Sequence, residues 1–184
     1  ALGAANYIFV AGNHEDRLRN AVIDNLRGVY GVTPGSAPGE DRPHPVLSIQ
    51  HLLRLDELGI EWTDAGGEYT HGQIKVTEEL AACHGWIAKK GSGTSALATI
   101  DHLRYSVVIG HSHRQSVVHH TAHGIDGEPK TLLGAEAGTL ARVEGGLSYA
   151  VAPDWQQGFA TATVWPDGVF KIDLATWVKG SLLL

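Results

Sequence analysis

The run Tyr105 to His113, reading Y-S-V-V-I-G-H-S-H, constrains this chain more than any other stretch. Tyr105, Val107, Val108 and Ile109 are aromatic or β-branched, the kinds of residue that pack well on a pleated sheet. A nearly continuous apolar run of this length predicts a strand buried on both faces. Gly110 ends it, and His111 and His113 follow. Imidazoles at i and i+2 on extended backbone point to one side. They would leave the carboxyl end of a buried strand, where open α/β sheets place their sites. Neutral imidazole is the commonest protein ligand for a transition metal. His111 and His113 are therefore candidate ligands for metals that could be neighbours.

Two further stretches share this construction. Tyr7, Ile8, Phe9 and Val10 predict another buried strand, closed by Gly12 and followed by Asn13, His14, Glu15 and Asp16. Leu80, Ala81, Ala82 and Cys83 predict a strand running into His84 and Gly85. In each case metal-compatible groups stand just past an apolar run.

Length and composition narrow the class. A chain of 184 residues is enough for one domain, 1–184, with a substantial core. Apolar content of 43% against 18% charged makes it globular rather than disordered. No apolar run approaches the ~18 residues of a membrane helix, and no signal-peptide pattern opens the chain. The formal net charge is −6, from 14 basic and 20 acidic residues. That argues against a broad nucleic-acid-binding surface, which needs clustered Lys and Arg. It leaves room for a nucleotide held by metals. A single cysteine allows no internal disulfide, which fits a reducing, cytoplasmic setting.

Between the motifs the pattern alternates. Leu18, Val22 and Leu26 recur at every fourth position and predict a helix after Gly12, with Asp16 near its start and Gly28 closing it. Thr33 to Pro45 reads as a Pro/Gly-rich surface loop. Val46 to Leu58 reads as one helix ended by Gly59. Short strands are expected at Ile60–Thr63, Gln73–Val76 and Leu80–His84. A basic, glycine-bearing loop spans Trp86 to Gly93, and a helix spans Thr94 to Leu103. Beyond His113 the chain turns β-rich, with strands at Ser116–Thr121 and Thr131–Ala135. A hairpin follows, from Phe159–Trp165 through Pro166-Asp167-Gly168 to Val169–Leu174.

The three motifs, in this order, resemble the calcineurin-like metallophosphoesterase superfamily, of phage or bacterial type. Its motifs include G-N-H-(E/D), a strand ending in His-Gly, and G-H-x-H. The resemblance runs from about Tyr7 to about Val169. Trp155-Gln156-Gln157-Gly158-Phe159 is also similar to the tail of phage and bacterial members. The resemblance implies an α/β fold: a two-sheet β-sandwich flanked by helices, with the family's N-terminal part outside this chain. It implies a dinuclear site of manganese, iron or zinc acting on a phosphate-ester substrate. Two metals ~3.5–4 Å apart lower the pKa of water and clamp the attacking and leaving oxygens of a phosphoryl transfer. The matching positions give one metal Asn13, His84 and His111, and the other metal His113. His14 matches the residue that stabilises or protonates the leaving oxygen.

The family's D-x-H and G-D-x-x-D motifs are expected upstream of Asn13, and residues 1–12 contain no Asp, Glu or His. The chain begins six residues before Tyr7, as a domain missing its front would. Their ligands are then expected from an N-terminal segment or a partner polypeptide. On this reading the chain alone holds one divalent ion or none. Glu15 and Asp16 are candidate substitutes for the upstream aspartate. The alternative is a scaffold of this family that has lost catalysis and serves as a binding or structural module.

Plainer readings stand beside several of these. Asn13 suits a helix N-cap. His119 and His120 face opposite ways on a strand and, with His123, suit a surface or edge. Gly91-Ser92-Gly93-Thr94 could present helix amides to a phosphate, but a capped turn is the simpler reading. Arg114 is a candidate substrate contact or a solvated cation. Cys83 suits a small buried hydrophobe. The five tryptophans suit core and hairpin packing.

Overall fold

The computed structural model describes residues 3–35, 44–64, 68–143 and 152–184. The chain is mixed α/β and divides into two compact units, Ala1–Gln73 and Ile74–Leu184. Among the described residues no helix is long and apolar enough to cross a membrane.

In the first unit, β1 (Tyr7–Val10) pairs in parallel with β2 (Ile60–Thr63), Tyr7 opposite Ile60 and Val10 opposite Thr63. Helix α1 (Asn13–Asn25) starts two residues after Ala11 and buries Val22. A 3-10 turn at Arg27–Val29 follows it. The helix expected over Val46–Leu58 is instead two pieces, α2 (Ile49–Leu52) and α3 (Leu55–Leu58). The break falls at Arg54, whose φ of 56° is left-handed and cannot continue a helix. Ser48 caps α2 through its side chain, accepting from the His51 N–H.

The first strand departs from expectation. A run buried on both faces was expected over Tyr7–Val10, yet Tyr7 is 37% and Ile8 40% exposed. Tyr7 and Ile8 are consecutive and so point to opposite faces of the two-stranded β1–β2 sheet, and both are exposed. Of the loop expected over Thr33–Pro45, residues 36–43 lie outside the described residues.

The second unit holds two sheets. The larger runs β3-β4-β5-β7-β6, with β3 (Gln73–Lys75), β4 (Leu80–Cys83), β5 (Ser106–Ile109), β6 (Gln115–His123) and β7 (Pro129–Ala137). Its centre is parallel: Cys83 pairs with Ile109 and Ile109 with Glu136. Only β6 is antiparallel to β7. The smaller sheet runs β10-β9-β8, with β8 (Gly158–Val164), β9 (Phe170–Val178) and β10 (Ser181–Leu183). The sequence pattern had not indicated β10.

The pleat sorts the core into two layers. Cys83, Val107, Ile109 and Leu132 face helix α4 (Thr94–Leu103) and pack on Ala96 and Ile100. Leu80, Val108, Leu133 and Ala135 face the small sheet and pack on Ile172, Ala160 and Phe170. Consecutive residues Val107 and Val108 thus serve opposite layers, as period-two geometry requires. This is the doubly buried strand that the Tyr105–Ile109 run predicts. Gly134 lets α4 come close, since a Cβ there would sit 3.0 Å from the Ala96 carbonyl oxygen. Gly158 is tighter: its Cβ would fall 2.1 Å from the Ala175 carbonyl oxygen on β9.

Candidate functional site

The site is built where β4 and β5 end. Because Cys83 pairs with Ile109, the next residues, His84 and Gly110, leave the sheet side by side. The His84 carbonyl accepts from the N–H groups of Gly110 (3.0 Å) and His111 (2.8 Å), which ties the two strand ends together. Gly85 turns the chain away at φ +87°, beneath Ile109 and His111. The result brings His84 Nε2 within 3.1 Å of His111 Nδ1, with the rings 71° apart.

His113 arrives differently. Imidazoles at i and i+2 share a side only on extended backbone, and the backbone here is a turn. His113 N–H donates to the Gly110 carbonyl at 3.2 Å, and His113 has a left-handed φ of 59°. Same-side placement therefore does not follow from alternation. The His113 ring lies edge-on to Trp155, centroids 4.6 Å apart. The Ser112 hydroxyl, inside the same turn, is buried without a partner.

Cys83 is buried under this corner, and burial pushes its thiol up to about 11, against a weaker opposing hydrogen bond from the Gly85 backbone. That is an inert, apolar cysteine, as expected. Trp86 packs edge-on against His102 of α4. Arg114 Nη1 donates to the Lys89 (2.8 Å) and Gly91 (3.1 Å) carbonyls, and Nε lies 3.6 Å from Asp154. The guanidinium thus holds the Trp86–Gly93 loop against the strand that follows His113.

The Gly91–Thr94 stretch is a capped turn. Thr94 Oγ1 donates to the Lys90 and Gly91 carbonyls, and Ser92 Oγ to that of Gln115. The amides at the start of α4 are not open to a phosphate. Ser95 and Ala96 N–H both donate to Glu136 Oε1, at 3.0 and 3.2 Å. Glu136 is fully buried, with its carboxyl group at a helix N-terminus, where backbone N–H groups need acceptors. Its Oε2 and the hydroxyl of its cross-strand neighbour Ser116 are both buried without partners. Sequence reading missed Glu136. The signal was there: a lone carboxylate in the apolar run Leu132 to Ala137.

The first unit carries the remaining candidates. Asn13 is the first residue of α1, and the N-cap is Gly12, so the N-cap reading of Asn13 is corrected. Gly12 N–H donates to Glu15 Oε2 at 2.8 Å, which gives Glu15 a capping task. Asp16 accepts from Asn20 and stands 3.7 Å from Arg19. His14 is exposed. A cavity of about 450 Å³ lies beside α1, with Val22, Tyr30, Trp62 and Asp64 in its wall.

His119 is exposed, and His120 turns the other way to within 3.6 Å of Asp101 on α4. The surface reading of that trio on edge strand β6 holds. Among the described residues, no three His, Cys, Asp or Glu side chains gather as a metal-holding group. The structure brings His84 and His111 together and sets the His113 ring against Trp155.

No family model matches the chain. No solved structure matches it either. The chain is similar to the Gene 54 protein of Mycobacterium phage L5, at 26% identity over 81% of this chain. It spans 64% of that protein's length.

Proposed function

We propose that this chain carries part of the metal site of a calcineurin-like phosphoesterase acting on a phosphomonoester or phosphodiester. The observation that supports it is the 3.1 Å separation of His84 Nε2 and His111 Nδ1 at the ends of adjacent parallel strands. Two imidazoles on one ion, each about 2.1 Å from it, stand roughly 3.0–3.4 Å apart for the usual inter-ligand angles. The pair fits one edge of a coordination sphere for manganese, iron or zinc. A divalent ion would supply Lewis acidity and positive charge at the phosphoryl group.

The chain's own residues have separable tasks in this reading. His84 and His111 hold the ion. His113 serves the second ion. Arg114 holds the Lys89–Gly91 backbone, so its contribution to substrate binding is through that loop. Carboxylate ligands come from a segment or polypeptide carrying D-x-H and G-D-x-x-D.

The second reading is the inactive scaffold. It is favoured by the lack, among the described residues, of a third His, Cys, Asp or Glu beside the imidazole pair. One assay separates the two: hydrolysis of bis-p-nitrophenyl phosphate with Mn²⁺, alone and with a polypeptide supplying the two upstream motifs. The chain alone is expected to be slow, since each absent preorganised contact costs ~10²–10³ in rate. Added motifs should restore metal-dependent turnover that His111→Ala removes. Strong activity from the chain alone overturns the incomplete site. No activity with the motifs supplied favours the scaffold.

A further inference from the structure

We infer that Trp155 and Gln156 are positioning residues for His113, which fix its imidazole before any ion arrives. The inference rests on the reading of His113 as a metal ligand, and the observations behind it are independent of that reading. His113 is one of few non-glycine residues here with a left-handed φ, 59°. Such a residue is strained and persists only where its surroundings over-determine it, and such residues cluster at functional sites.

Two contacts from outside the turn do the holding. Gln156 N–H donates to the His113 carbonyl at 3.1 Å. The Trp155 ring meets the imidazole nearly at right angles, 79°, with centroids 4.6 Å apart. Edge-to-face geometry of this kind restricts ring orientation as well as position.

Gln156 is itself locked from two sides. Its side-chain Oε1 accepts from Gln115 N–H at 2.9 Å, and its carbonyl from Thr139 N–H at 3.1 Å. Gln115 opens β6 and reaches the small sheet, donating to the Ala175 carbonyl and accepting from Thr176 Oγ1. Gly138 makes room, since a Cβ there would lie 2.8 Å from both Gln115 Cγ and the Gln156 carbonyl oxygen. The Trp155-Gln156-Gln157-Gly158 motif thus ties the end of β7, the start of β6 and the start of β8 to one histidine. An ordinary hairpin lead-in needs none of these contacts with His113.

The test uses the full chain labelled with ¹⁵N-histidine, and follows the imidazole resonances without metal. His113→Ala assigns the signal. Trp155→Leu keeps apolar bulk without a ring and should shift and broaden the His113 signal, leaving His84 and His111 in place. Trp155→Phe keeps the ring contact and should restore it. A His113 signal unchanged in Trp155→Leu overturns the inference, provided the circular dichroism of the variant is wild-type. If that variant does not fold, Trp155→Phe and Trp155→His decide the matter by whether His113 follows the ring.

Zn²⁺ titration of the same proteins then separates the two claims. Outer partners of a ligand typically contribute 10–100-fold in metal affinity. Trp155→Leu should weaken whichever ion His113→Ala weakens, by about 10-fold. The titration includes a polypeptide supplying the two upstream motifs, and if His113→Ala still binds Zn²⁺ like wild type there, the ligand reading fails while the positioning result stands on the resonances.

Discussion

Gly85→Ala tests the geometry of the histidine corner most directly. Two costs combine at that position. Gly85 has φ +87°, and a left-handed conformation costs an alanine ~1–2 kcal/mol. The new Cβ would also lie 3.1 Å from Ile109 Cβ and 3.4 Å from His111 Cβ. Ile109 is fully buried between β4, β7 and α4, so it has nowhere to go. Overpacking of this kind costs ~1–3 kcal/mol. The sum is about 2–5 kcal/mol, a large part of the ~5–15 kcal/mol by which domains are stable. At a urea m-value of about 2 kcal/mol/M that is a midpoint lower by roughly 1–2.5 M. Gly110→Ala is the matched control, one strand over. Its Cβ meets nothing within 4 Å and its φ is not left-handed, so its effect should stay within about 1 kcal/mol. The assay is urea unfolding followed by circular dichroism. If residues 1–73 and 74–184 unfold separately, the shift belongs to the second transition. Equal midpoints for the two variants would refute the reasoning.

Glu136→Ala should destabilise by about 2–3 kcal/mol, because it leaves the Ser95 and Ala96 amides buried and unpaired, whereas Glu136→Gln keeps an accepting oxygen and should cost less. Thermal or urea unfolding of the pair checks the order. The Cys83 thiol is raised from 9.0 to about 11 by burial, so its contribution is complete below the unfolded value and is lost as pH rises through the folded one. Wild type should therefore lose roughly 2–3 kcal/mol relative to Cys83→Ala between about pH 8.5 and 11.5, with a pH-independent difference counting against the buried thiol. Metal analysis of the dialysed chain should find at most one tightly held divalent ion, lost in both His84→Ala and His111→Ala. Two ions per chain would mean that an unassigned carboxylate bridges.

Much of the second unit was legible because its strands carry their instructions locally. Val107 and Ile109 face α4 while Val108 faces the small sheet, so an unbroken β-branched run is what this position between two layers demands. The Thr94–Leu103 helix and the hairpin turn at Pro166–Gly168 were equally local. The misreadings have physical causes. Tyr7–Val10 has the composition of a buried strand, but composition does not count the partners a strand will have, and β1 has one among the described residues. Val46–Leu58 has helical spacing throughout, and a single left-handed residue, Arg54, divides it. Nothing in an arginine announces that conformation.

The candidate site shows the same division between what periodicity can and cannot encode. His84 and His111 were found because each is the first or second residue past a parallel strand, and register alone then makes them neighbours. His113 was assigned by alternation, a rule that needs extended backbone through His113, whereas β5 ends at Ile109. Its placement depends instead on Trp155 and Gln156, more than forty positions downstream. Glu136 escaped for the converse reason: its partners are backbone amides, which no side-chain motif records. An imidazole pair presented by strand register needs little support from distant residues, whereas an imidazole on a left-handed turn needs support from several. Substitutions in the Trp155–Gly158 segment should therefore disturb His113 and spare the His84–His111 contact, a selectivity that a uniformly packed corner would not show.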